Sequence, residues 1–159
     1  MSMSGEGIGK KSHEISNSDR TRLATIALIH HQFGNRHEAH LPVDGLRLRY
    51  LLFLADAEYH YQRKENYLGS WVYANGGPTL QGISLALADL DGLEIEETDK
   101  GYIRGRFNRY STWRLDPFFE NILLKTKQQH FFSDNQALAN LVYAAEPMKN
   151  ANFGDYLFR

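Results

Sequence analysis

Between Leu46 and Tyr61 the chain reads LRLRYLLFLADAEYHY, and the middle of this run is apolar at nearly every position. A helix that is apolar on most of its sides has to be surrounded by other elements. The run therefore predicts a helix over about 43–62 that serves as the central pillar of a bundle. Asp56 sits inside it. A buried carboxylate needs partners or a raised pKa, so Asp56 is either a structural node held by an Arg or backbone amides, or a catalytic acid.

The rest of the chain supplies elements to pack around that pillar. Leu23, Ile26, Ala27, His30 and Phe33 fall at helical spacing behind Ser18 and Asp19, predicting a first helix over about 19–33. Tyr67–Tyr73 suits a short strand. In Asn75-Gly76-Gly77-Pro78 the glycines permit a reversal, and Pro78 suits the start of a third helix carrying the stripe Leu80, Ile83, Leu87 and Leu90. Two alternating runs flank Asp99-Lys100-Gly101, predicting a hairpin. Leu93 and Ile95 would share a face with Ile103 and Phe107, and Glu94 and Glu96 with Arg104 and Arg106. Asp116-Pro117 opens a helix of about 117–129. Ser133 with Gln136 fits a capping box for a helix carrying Leu138, Leu141, Val142 and Ala145, which Pro147 ends. Residues 150–159 pack back or form a short turn.

The expected fold is mostly α with a small β-hairpin (α+β), about five helices around the apolar one. The 159 residues, 42% hydrophobic and 13% aromatic, suit one domain. Residues 1–17 are polar and read as a disordered tail, leaving 18–159 as the domain. The absence of cysteine excludes disulfides, thiol catalysis and thiolate zinc, and suits a reducing cytoplasm. No apolar run approaches the ~18 residues of a membrane span. A net charge of −1 gives no bulk attraction to an anionic surface.

Motifs for chemistry are few. His30, His31, His37 and His40 lie close together, but His37-Glu38-Ala39-His40 is one residue short of the zinc pattern His-Glu-x-x-His. They read as loop and core histidines, and no metal or cofactor is expected. There is no Gly-x-Ser-x-Gly elbow, and Asn75–Pro78 matches neither a Walker loop nor a dinucleotide fingerprint. No catalytic residue is assigned.

Lys100, Arg104, Arg106, Arg109 and Arg114 alternate with Tyr102, Phe107, Tyr110 and Trp113, a pattern compatible with phosphate contacts and stacking. A helix followed by a hairpin is also the order of a winged helix, so a DNA-binding regulator is the alternative. Against it, Asp89, Asp91, Glu94, Glu96, Glu97 and Asp99 precede the basic segment, and Thr79–Leu90 holds no Lys or Arg. Aromatics and Arg are favoured anchors of protein interfaces. Trp71, Tyr73, Arg104, Arg106 and Trp113 are the expected partner-binding residues.

The order of these features resembles the Panacea, or SocA-like, antitoxin domain family. Leu46–His60 is similar to that family's Lys/Arg-Leu-Leu-Tyr-Leu-Ala-Asp helix. Tyr67–Tyr73 and Gly77-Pro78 take the places of its aromatic strand and the Gly-Pro after it, and Leu138–Pro147 resembles its late helix. The resemblance is close over 46–78 and follows the order of elements over about 20–155. It implies a non-enzymatic cytoplasmic protein that binds a cognate toxin, neutralising it or presenting it to a protease.

Overall fold

The computed structural model describes residues 15–30, 45–82, 95–98, 101–104 and 115–158. Among them are five helices and two antiparallel hairpins: α1 (Asn17–His30), α2 (Gly45–Arg63), β1 (Trp71–Ala74), β2 (Gly77–Leu80), β3 (Ile95–Thr98), β4 (Gly101–Arg104), α3 (Pro117–Gln129), α4 (Asn135–Ala144) and α5 (Glu146–Lys149). The fold is mostly helical α+β, as expected.

The pillar is α2. Leu48, Tyr50, Leu51, Leu52, Phe53, Ala55, Asp56 and Tyr59 are all buried, and α2 packs against α1, α3, α4 and β2. α1 starts earlier than its spacing suggests. The Asp19 amide donates to Ser16 Oγ at 3.0 Å, so the first turn is capped from Ser16. Ile15, assigned to the tail by the sequence, is buried in the core. The helix buries Thr21 and Thr25, whose hydroxyls donate to the carbonyls of Asn17 and Thr21 at 2.9 and 2.8 Å. Buried hydroxyls thus keep their bonds without leaving the helix.

α3 spans 117–129, with Pro117 in its first turn. Phe119, Ile122, Leu123 and Thr126 form its buried stripe at helical spacing. Lys127 is buried too, and its Nζ donates to the Leu28 carbonyl near the end of α1. A cation there offsets the helix's partial negative charge. Arg47 does similar work at the end of α3, donating to the carbonyls of His130, Phe131 and Ser133. α4 is capped by Asp134, which accepts from the Ala137 amide at 2.8 Å, one residue later than the Ser133–Gln136 box. Leu138 and Val142 are its fully buried residues, while Leu141 is exposed. Pro147 does not simply end the helix; it lies in the first turn of α5.

The larger departure is at Pro78. Gly77–Leu80 is a strand, not a helix start. It pairs antiparallel with β1, Trp71 opposite Leu80 and Tyr73 opposite Pro78. Asn75 and Gly76 make the turn, and Gly76 (φ 90°) supplies the positive φ that such a turn demands. Arg49 Nη2 pins it by donating to the Gly76 carbonyl at 2.6 Å. The Ile83–Leu90 part of the expected helix lies outside the described residues. The second hairpin exists, but one residue out of the expected register. Position 95 pairs with 104 and 96 with 103, so Glu96 stands opposite Ile103 rather than beside Arg104.

The C-terminal segment does pack back. The Tyr73 amide donates to Asp155 O (2.9 Å), the Gly154 amide to Tyr73 O (2.8 Å) and the Leu157 amide to Trp71 O (2.9 Å). Tyr156 bridges antiparallel to Val72. β1 is therefore bonded on both edges.

A candidate protein-binding face

The site is built outward from Asp56. This carboxylate lies where α2 faces the loop into β1. Oδ1 accepts the Tyr67 amide at 2.7 Å; Oδ2 accepts the Leu68 amide at 3.1 Å and the Trp71 indole N–H at 2.8 Å. Burial pushes the Asp56 carboxyl above its ordinary value, and the bonds from Trp71, Tyr67 and Leu68 pull it back. With both oxygens engaged by donors and the group fully buried, Asp56 fixes a loop and offers no oxygen to a substrate. The structural reading of Asp56 holds, with backbone amides and an indole as its partners rather than an Arg.

Tyr67 extends this node. Its ring stacks on Phe119 at 4.5 Å between centroids, and the Arg20 guanidinium lies 4.3 Å from the ring centre. Its carbonyl accepts from Arg20 Nη1 at 3.0 Å and its hydroxyl accepts the Asp116 amide at 2.9 Å. Loop 64–70 is thereby tied to α1, α2 and α3. Trp71 is fully buried, edge-on to Phe53 at 5.2 Å. It gives a partner no surface, which corrects its expected role as an anchor. Its indole N–H needs a buried acceptor, and Asp56 is that acceptor.

Tyr73, two residues on, is the expected anchor that the structure brings toward the surface. It is half-buried, with Tyr143 edge-on at 6.2 Å and Phe153 at 6.3 Å. Tyr143 and Tyr156 are about two-fifths exposed, Phe153 71% and Tyr61 73%. Arg104 lies on β4. Arg106 and Trp113 lie outside the described residues, as do His31, His37 and His40.

Beside this array runs an open cleft of about 790 Å³ between the C-terminal half of α2, α5 and the segment 155–158. Leu54, Ala57, Ala145, Ala151, Leu157 and Phe158 give it an apolar lining. His60 lies against Phe158, 4.9 Å between ring centres. Four more lining residues carry charge: Glu58, Glu146 and Asp155 against Lys64.

The sequence reading counted Tyr61 in the apolar run of the pillar, gave Tyr143 no role, and treated Phe153 and Tyr156 as packing residues. One signal was available for Tyr61: it closes the apolar run and is followed at once by Gln62-Arg63-Lys64, where a helix leaves the core. Tyr143 and Phe153 gave no such signal, because their exposure is set by how α4 docks on α2 and the last segment on β1.

The cleft and the exposed Tyr61, Tyr143, Phe153 and Tyr156 leave apolar and aromatic surface open to solvent. Among the described residues no cluster of three His, Asp or Glu could hold a metal ion, and no helix is long and apolar enough to cross a membrane. Compared with protein-family models, with curated proteins and with solved structures, the chain has no significant match.

Proposed function

We propose that this chain is a Panacea-like (SocA-like) interaction domain without catalytic activity or cofactor. In this reading it acts in the cytoplasm and binds a protein partner, a cognate toxin, which it neutralises by covering a surface the toxin needs. The observation that carries the reading is exposed aromatic surface: Tyr143 and Phe153 beside Tyr73, and Tyr61 and Tyr156 lining the adjoining cleft. Exposed aromatics are costly in water, and patches of them mark surfaces that associate. Asp56, the group best placed to look catalytic, is occupied in holding the loop that presents Tyr73.

Co-expression with the product of the adjacent reading frame tests it. The expected result is relief of toxicity and co-purification of the two chains. A Tyr61→Ala/Phe153→Ala variant should melt like the parent yet lose both effects. Toxicity that persists with the parent chain overturns the proposal. A salt-sensitive shift of duplex DNA by the chain alone would favour the DNA-binding regulator instead.

A further inference from the structure

The cleft between α2 and the C-terminal segment says what kind of surface the partner brings. Its volume is about 790 Å³. Its lining is apolar and half-buried, from Leu54 and Ala57 on α2 to Ala145 and Ala151 around α5. Around that lining the charge is one-sided. Glu58 is exposed at the α2 side and Glu146 begins α5. Asp155, whose Oδ2 accepts the Asn152 amide at 2.8 Å, stands at the third side. The cation among these residues, Lys64, donates to the Tyr61 carbonyl at 3.2 Å, with its amine 5.6 Å from the Tyr61 ring centre. The lining charges sum to about two negative units, on a chain whose whole net charge is −1. An apolar trough with an acidic rim is complementary to an apolar stripe flanked by cations.

We infer that this cleft is the docking groove for a basic amphipathic segment of the partner protein, its apolar side chains on the lining and its Lys or Arg residues on Glu58 and Glu146. The inference rests on the proposed function and specifies the chemistry of its site. The same charges repel acidic segments and so select among partners.

Two fluorescein-labelled synthetic peptides test it by anisotropy with the full chain. Both carry Leu at helical i, i+3, i+4 and i+7 positions; one has Lys at the remaining positions, the other Glu. The Lys peptide should bind at least tenfold more tightly than the Glu peptide, with an affinity that falls as salt rises. Glu58→Lys/Glu146→Lys should weaken the Lys peptide at least tenfold, and both sites are peripheral enough for the melt to be unchanged. Ala57→Trp, which fills the trough, should abolish binding; if it unfolds the chain, the charge-reversal variant still decides the matter. Equal binding of the two peptides, or undiminished binding by the charge-reversed chain, overturns the inference. So does concentration-dependent self-association that Ala57→Trp removes, since the occupant would then be a second copy. Toxin co-purification that survives charge reversal would also sink this inference while leaving the proposed function standing. Loss of partner binding by the parent chain would sink the proposed function itself.

Discussion

Replacing Asp56 by Ala should be the most damaging single change available in this chain. The substitution leaves three buried donors facing a void: the amides of Tyr67 and Leu68 and the indole N–H of Trp71. An orphaned buried donor costs about 1–3 kcal/mol, so three amount to roughly 3–9 kcal/mol. Removing the cost of burying a carboxylate returns part of this, and about 4 kcal/mol is the expected net loss. That is a large share of the roughly 5–15 kcal/mol that holds a typical domain together. Urea titration followed by far-UV circular dichroism reads it out. With a slope of about 1–3 kcal/mol per molar, the midpoint should fall by roughly 2 M. Asp56→Asn should lose somewhat less, because its carbonyl oxygen still accepts while its amide group meets donors. Trp71→Phe should cost about 1–2 kcal/mol, and much less in the Asp56→Ala background, since the bond is already gone. An Asp56→Ala midpoint within 0.5 M of the parent would refute the reasoning, as would additive effects of the two changes.

Lys127 makes stability depend on alkaline pH. Burial lowers its amine to about 8, with the Arg47 charge adding to the effect. Between pH 8 and 10 the unfolded chain keeps the proton that the folded chain releases. Stability should therefore rise with pH by up to about 1.4 kcal/mol per unit there. Tyr59, Tyr67 and Tyr143, held above their ordinary value first by burial, act in the opposite sense above about pH 10. Lys127→Met should flatten the rise between pH 8 and 10 in urea melts, and a slope unchanged by that variant would contradict the assignment. Gly77→Ala should destabilise by about 1–3 kcal/mol. The backbone there has φ 113°, and a Cβ would sit 3.1 Å from the Tyr143 hydroxyl. Gly82→Ala, with φ 71° and open space around it, should cost less; equal midpoints for the two would show the hairpin is not held as described.

The central helix was legible because nothing but burial explains sixteen residues with so few polar positions. Pro117 and the apolar spacing after it placed α3 without ambiguity. The strand at Gly77–Leu80 was not legible, and the reason is local. Proline's fixed φ near −65° suits both the first turn of a helix and an edge strand. Pro78 alone therefore could not choose, although Asn75-Gly76 before it is a hairpin signal in its own right. The register of β3 and β4 was missed by one residue because Thr98 pairs with Gly101, and such a slip exchanges the faces of a strand. At the site, Asp56 could be flagged as anomalous but its donors could not be named. They come from a loop 11–15 residues downstream that only the fold brings back. Trp71 looked like an anchor for the same reason: whether an indole faces solvent or a buried acceptor is decided by the tertiary structure.

The seam between β1 and residues 154–157 joins parts of the chain that are far apart in sequence, with α3, α4 and α5 lying between them. Contacts of such long span close a large loop, at a greater cost in chain entropy than local contacts carry. The bonds of Asp56 to Tyr67 and Trp71 span only 11 and 15 residues and close far smaller loops. The strand addition that completes β1 therefore carries the larger loop-closure cost, and the same docking sets Phe153 beside Tyr73. Of the two edges of β1, the one that meets residues 154–157 is thus the one whose closure costs the chain more entropy.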